Sequence, residues 1–195
     1  MKKKHFLIIG GARSGKSRFA QDIARRLGSK VLFVATATAI DEEMKRRIEM
    51  HKKNRPKSWR TLEVLTEVGK KVEENLGDAD VVIIDCITLL INNIFEKCKD
   101  KKSSGNLCGE LFEREIAIEI EKLKQSISAI NAHVIIVSNE VGMGIVPINR
   151  IARVFRDIQG RTNQSLAQQA DIIYFMIAGI PVQIKPFLVQ TLDQS

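Results

Sequence analysis

The sequence predicts an α/β fold, a mostly parallel sheet flanked by helices in a single domain over residues 1–195. Three observations carry that expectation. Short β-branched runs alternate with longer stretches of helical period, the pattern of a parallel sheet covered on its faces. The first apolar run passes through a glycine-rich turn straight into an amphipathic stretch. The 195 residues, 44% hydrophobic and 28% charged, suffice for a core that buries about 70% of the unfolded chain's surface without disulfides or a structural metal.

The elements follow in order. Strands are expected at His5–Gly10, Val31–Ala35, Val81–Asp85, His133–Ser138 and Ile172–Ile177, with a short one at Trp59–Glu63 and a last one at Val182–Lys185. Helices are expected at Lys16–Leu27, Asp41–Lys53, Glu67–Leu76, Thr88–Glu96, Glu110–Ile130 and Asn149–Gln169. The cleanest period is that of Leu111, Ile116, Ile120, Leu123, Ile127 and Ile130, spaced for one buried stripe. Lys97–Gly109 is polar, rich in Lys, Ser and Gly, and aperiodic, so a flexible loop is expected there. Residues 186–195 are weakly patterned and read as a peripheral tail. No internal repeat is visible.

Charge and composition exclude several classes. The longest apolar run, Ile172–Ile180, cannot span a bilayer. Lys2, Lys3 and Lys4 before an apolar stretch imitate a signal peptide, but Arg13 and Lys16 stand where a cleavage site belongs. Three cysteines (Cys86, Cys98, Cys108) without a C-x-x-C pair indicate neither a disulfide framework nor a zinc knuckle, and fit a reducing cytoplasm. The net charge of +8 favours anionic partners.

Gly10-Gly11-Ala12-Arg13-Ser14-Gly15-Lys16-Ser17 matches the phosphate-loop pattern G-x-x-x-x-G-K-[ST] in full. A chance match is expected in roughly one such chain in a hundred, but this one follows a strand and opens a helix carrying Phe19, Ile23 and Leu27 on one face. Gly10 and Gly15 let successive N–H groups turn inward on phosphate, and the helix start adds its positive end. Lys16 supplies a mobile charge to the outer phosphates and Ser17 a hydroxyl for Mg²⁺. The expected fold is therefore that of a P-loop NTPase, RecA-like. Asp85, after four apolar residues, is the candidate carboxylate of the metal shell; capping of the following helix is the other role open to it.

His51 lies in a basic segment, with eight Lys or Arg against four acids from Asp41 to Arg60. A neutral imidazole can attack phosphorus, helped by nearby cations; a histidine on a solvated basic face is the plainer alternative. His5 and His133 open buried strands and read as structural. Asn139 and Glu140 lie just past a strand's carboxyl end, where open α/β sheets bind ligands, whereas Gly142, Gly144 and Pro147 suit loop structure. Arg150, Arg153 and Arg156 have helical spacing, suiting a solvated face or a subunit or phosphate contact.

Beyond the phosphate loop, Val-Ala-Thr-Ala (34–37), His51 with Arg55-Pro56, Trp59-Arg60-Thr61 with Glu63, and Asp85-Cys86-Ile87-Thr88 occur in order. The run Ser138-Asn139-Glu140-Val141-Gly142-Met143-Gly144-Ile145-Val146-Pro147 follows, then Phe155-Arg156-Asp157 and Gly160-Arg161-Thr162-Asn163-Gln164. In these motifs, from about His5 to Lys185, the chain resembles the bifunctional adenosylcobinamide kinase/adenosylcobinamide-phosphate guanylyltransferase (CobU) family of cobalamin biosynthesis.

The resemblance implies two reactions. ATP or GTP phosphorylates the aminopropanol hydroxyl of adenosylcobinamide. GTP then gives GMP to a histidine with loss of pyrophosphate, and the GMP passes to adenosylcobinamide phosphate. It implies that residues 10–17 hold GTP phosphates, that Ala35, Thr36 and Ala37 line the nucleotide site, and that His51 is the guanylylated nucleophile. Lys52, Lys53, Asn54, Arg55 and Glu63 become further nucleotide contacts, Asp85 stands near the metal, and a homotrimer is implied. Helix Asp41–Lys53 is expected to shift on GTP binding.

Two other classes compete. A plain small-molecule P-loop kinase would use Arg150, Arg153, Arg156 and Arg161 as a phosphate-clamping lid, with His51 inert. A nucleic-acid binder would exploit the positive charge, but one Trp and one Tyr offer few stacking platforms, so no nucleic-acid partner is expected.

Overall fold

A computed structural model describes residues 3–37, 42–53, 55–100 and 107–186; a few helical side chains, His51 among them, lie outside the description. The elements are β1 (His5–Gly10), α1 (Lys16–Leu27), β2 (Val31–Ala35), α2 (Glu42–Lys53), β3 (Arg60–Glu63), α3 (Val68–Asn75) and β4 (Val81–Asp85). The chain continues with α4 (Ile87–Asp100), α5 (Leu107–Ala129), β5 (His133–Asn139), α6 (Arg150–Gln169), β6 (Ile172–Ile177) and β7 (Ile180–Lys185). The strands form one seven-stranded sheet in the order β3-β2-β4-β5-β1-β6-β7. All neighbours pair in parallel except β6 and β7. Those two are joined by Ala178 and Gly179, both with positive φ, the twist a two-residue hairpin turn requires.

Alternation along the strands divides the core into two layers. Leu7, Ile9, Leu32, Val34, Val134 and Ile136 face α3, α4, α5 and α6 through Val72, Leu90, Phe112, Leu123 and Leu166. Phe6, Ile8, Phe33, Ile83 and Ile135 face α1 through Ala20 and Ala24, with Trp59 closing the same layer. Central strands buried on both faces are why the apolar runs are continuous.

The structure corrects one expected loop. α4 runs on to Asp100 and α5 begins at Leu107, so Lys97–Gly109 is helical at both ends, and residues 101–106 lie outside the description. Cys98, 3% exposed, extends the buried stripe of Leu90, Ile91 and Ile94, and Lys97 Nζ donates to Thr66 Oγ1 at 2.7 Å. Asn149 proves to be the N-cap of α6 rather than its first residue, with Oδ1 accepting from Ile151 N at 2.8 Å. Of the expected tail, residues 187–195 lie outside the description.

Two buried polar contacts between distant elements generate predictions. Glu119 of α5, 8% exposed, accepts from Val68 N at 2.8 Å and so caps α3, whose own N-cap residue, Glu67, supplies no side-chain bond. Glu119→Ala strands that N–H and is expected to cost about 1–3 kcal/mol, read as a fall in denaturation midpoint that Glu119→Gln largely avoids. His133 Nδ1 accepts from Lys4 N at 3.1 Å, so the ring is neutral, and burial first, then Lys3, holds its pKa below the ordinary histidine value. The unfolded chain therefore binds the proton first as pH falls. Stability supplied by neutral His133 is complete above about pH 6.5 and declines below it. Thermal scans should show that decline flattened in His133→Asn, whose Oδ1 still accepts.

Candidate nucleotide site

The carboxyl ends of β1, β2, β4 and β5 converge. Gly10 pairs with Asn139, Ala35 with both Asp85 and Glu63, and Asp85 with Val137. In this crevice lies a cavity of about 890 Å³.

The chain from β1 to α1 forms its floor. Gly10 has φ 157°, and a Cβ there would stand 2.6 Å from the carbonyl oxygen of Met176 in β6, so no larger residue fits. Gly15, with φ 93°, turns the chain into α1 as its N-cap. Lys16 is buried, with Nζ donating to Gly10 O at 2.9 Å and to Gly11 O at 2.6 Å. The loop is tied to the sheet by Glu140 N donating to Gly10 O and Gly179 N donating to Ser14 O, at 3.0 and 3.2 Å. Arg13, Ser14, Gly15, Lys16 and Ser17 line the cavity; Gly10, Gly11 and Ala12 are not among the lining residues, and the two glycine carbonyls hold the lysine.

α2 forms the opposite wall. Lys45, Ile48, Glu49 and Lys52 recur at helical spacing among the lining residues, and Arg46 and Met50 join them. His51 stands on this helix between Met50 and Lys52; its side chain, like the whole of Asn54, is outside the described residues. Lys52 forms an ion pair with Glu63 of β3, fastening the end of α2 to the sheet edge. Lys53 is exposed and does not line the cavity.

Arg55 sits between these walls, its guanidinium carbon 3.7 Å from the centre of the Phe33 ring. Burial lowers its pKa, and Asp85 and Glu63 oppose that shift. Its Nε and Nη1 are buried with no hydrogen-bond partner among the described residues, donors that an anionic ligand in the cavity would satisfy. Seven cationic side chains against three carboxylates line the space, an environment suited to polyphosphate.

Ala35 and Ala37 line the cavity, but Thr36 does not. Thr36 is fully buried: its hydroxyl donates to Cys86 O at 2.7 Å and accepts from Cys86 N at 2.8 Å. Strand alternation turns it away from the space its neighbours enter, and it clamps the ends of β2 and β4. Cys86, buried beside Asp85, has its thiol pushed up to about 12, chiefly by burial, and is no nucleophile near neutral pH.

Ser17 and Asp85 line the same cavity. Among the described residues no three His, Cys, Asp or Glu side chains form a metal cluster. A hydroxyl and one carboxylate fit Mg²⁺, which keeps several waters and completes its shell from substrate phosphates. Arg150, Arg153, Arg156 and Arg161 are not among the lining residues. Arg153 instead donates to Pro147 O and Ile148 O at 2.9 and 2.6 Å, and Arg161 pairs with Glu113 at 2.8 Å. The kinase reading that used these arginines as a lid loses its clamp.

The sequence reading missed Arg18, Lys45, Arg46, Ile48, Glu49, Met50, Cys86, Leu89 and Val137 as lining residues. The helical spacing of 45, 48, 49 and 52 was a usable signal once α2 was placed over the loop. Cys86, Leu89 and Val137 reach the cavity by topology alone.

Comparison with known proteins accounts for the rest of the pattern. The chain is 40% identical over 179 residues to the bifunctional adenosylcobalamin biosynthesis protein CobU of Escherichia coli (strain K12), covering 92% of this chain and 98% of that one. It is 41% identical to the protein of the same name from Salmonella typhimurium (strain LT2), again covering 92% and 98%. To the bifunctional adenosylcobalamin biosynthesis protein CobP of Pseudomonas aeruginosa (strain PAO1) it is 36% identical, covering 92% and 96%. Residues 6–184, which carry the phosphate loop, α2 and the whole sheet but for its first and last residues, match one family description. The chain therefore belongs to the cobinamide kinase / cobinamide phosphate guanyltransferase family.

Proposed function

We propose that this protein phosphorylates adenosylcobinamide and then transfers GMP from GTP to adenosylcobinamide phosphate through a guanylyl-histidine at His51. The observation that carries this reading is the placement of α2: the helix bearing His51 walls the cavity whose floor is the phosphate loop.

In the first reaction the aminopropanol hydroxyl oxygen bonds to the terminal phosphorus of ATP or GTP. The bond to the nucleoside diphosphate breaks, and the hydroxyl proton departs. Lys16, the loop N–H groups and Arg55 stabilise the charge spread over the transferring group. In the second reaction the imidazole nitrogen of His51 bonds to the α-phosphorus of GTP and pyrophosphate leaves. The phosphate oxygen of adenosylcobinamide phosphate then displaces the histidine, giving adenosylcobinamide-GDP. Two displacements let one polyphosphate pocket serve both nucleotide chemistries. Ser17 and Asp85 would hold Mg²⁺, which when bound would supply charge neutralisation at the phosphates. Lys52 and Glu63 serve as further nucleotide contacts.

The protein works in the cytoplasm, where the free buried thiols of Cys86 and Cys98 stay reduced. It assembles as a homotrimer. Met143, Ile145, Val146, Ile148 and Ile151 are exposed apolar residues on and after one loop, and covering them in a subunit contact removes that surface from water.

GTP labelled on its α-phosphate should form an acid-labile, alkali-stable protein adduct that maps to His51. His51→Ala should abolish the adduct and guanylyl transfer, a loss of at least 10³-fold in kcat on the scale of nucleophile removal, while corrinoid phosphorylation stays within about threefold. Lys16→Ala should damage both. Full guanylyl transfer by His51→Ala sinks the nucleophile assignment. Light scattering should give about three times the 21.9 kDa chain mass; a monomer mass rejects the trimer.

A further inference from the structure

β5 lies between β4, which ends in Asp85, and β1, which feeds the phosphate loop. Its last residue, Asn139, is in register with Gly10 and lines the cavity together with Lys16, Ser17 and Asp85. The next residue donates its N–H to Gly10 O, the same oxygen that receives Lys16 Nζ. One backbone oxygen thus links the position of the lysine to that of Asn139.

Asn139 is held with unusual completeness. Its N–H donates to Thr88 Oγ1 at 2.9 Å, and its carbonyl accepts from Asn163 Nδ2 at 3.0 Å. Asn163 is fixed in turn, because its Oδ1 accepts from Ser138 Oγ at 2.6 Å and from Gln159 Nε2 at 3.0 Å, and Gln159 Nε2 also donates to Ser138 Oγ at 2.9 Å. Ser138 and Gln159 are 0% exposed and Asn163 6%. Three buried polar side chains beneath a strand end are costly to desolvate, and although Gln159 Oε1 is buried without a partner among the described residues, their bonds to one another return part of that cost as a rigid local geometry. What the cluster orients is Asn139, which with Val137 brings the end of β5 into the cavity lining. The Asn139 side-chain amide has no hydrogen-bond partner among the described residues.

We propose that the Asn139 amide N–H donates to the terminal phosphate of the bound nucleoside triphosphate, and that Asn163 with Ser138 and Gln159 positions it to do so. A neutral donor between a lysine and a metal-shell carboxylate can approach a phosphate oxygen without repelling Asp85, and it distinguishes a triphosphate from a diphosphate by the group it touches. This inference rests on the nucleotide site of the proposed function but not on the corrinoid chemistry.

The test compares affinities for guanosine 5′-[β,γ-imido]triphosphate and for GDP by titration calorimetry. Asn139→Ala is expected to lose about tenfold of the preference for the triphosphate, the scale of one hydrogen bond to a charged group, with GDP affinity within twofold of wild type. Asn139→Asp, the same size but anionic, should lose more. Asn163→Ala should reduce the preference in the same direction while leaving GDP affinity intact, which a loss of stability alone would not do. An unchanged preference in Asn139→Ala, or an equal fall for both nucleotides, overturns the proposal. Should the wild-type protein bind both nucleotides yet neither phosphorylate adenosylcobinamide nor form the guanylyl adduct, the proposed activity fails while the Asn139 comparison still decides this point.

Discussion

The close approach of three backbones at Gly10 governs the rest of the molecule. β1 is flanked by β5 and β6, and at its carboxyl end the Met176 carbonyl lies where a side chain on residue 10 would stand. The glycine lets β1 stay paired on both sides up to its last residue and still turn into the phosphate loop. Its carbonyl then receives Lys16 Nζ and Glu140 N. The loop, the lysine and the segment after β5 are registered to one another through a single peptide group. Polar groups packed this tightly hold their geometry because each would be expensive to leave unpaired.

From that point the sheet distributes the site. β4 contributes Asp85, β2 the backbone around Ala35 and β3 the Glu63 that meets Lys52. The central strands β1, β2, β4 and β5 are largely apolar and buried, so the chemistry concentrates at their ends, where side chains can be polar without cost to the core. α2 differs from the other helices. None of its described side chains enters either core layer, and the Lys52–Glu63 pair joins its end to β3. An exposed ion pair contributes little to stability, so this tie between α2 and the sheet is weaker than the backbone hydrogen bonds that fasten the phosphate loop.

Much of the fold was legible in the sequence because the apolar runs are sharply bounded. Val81–Asp85 and Val31–Ala35 read as strands by composition alone, and between them Asp41–Lys53 and Glu67–Leu76 read as helices on either side of a short strand. The end of α4 was not legible: Lys97, Lys99 and Asp100 dominate the composition of that turn, while the single buried Cys98 that continues the stripe carries little weight in a window average. Thr36 was assigned to the site by the family resemblance of the run 34–37, but alternation along an extended chain sends neighbours to opposite sides. The phosphate loop was visible because its chemistry is contiguous. The support beneath Asn139 was not, since Thr88, Ser138, Gln159 and Asn163 come from three elements and meet only when the sheet is assembled.

The resting place of Lys16 has a consequence for how tightly phosphate can be held. A lysine on an open surface samples many rotamers, and fixing it on a ligand forfeits about 1.5–2 kcal/mol of side-chain entropy. Here the folded chain has already immobilised that side chain against the carbonyls of Gly10 and Gly11. An arriving polyphosphate therefore meets an ammonium group whose disorder was surrendered during folding, and the freedom lost on association falls mainly on the ligand.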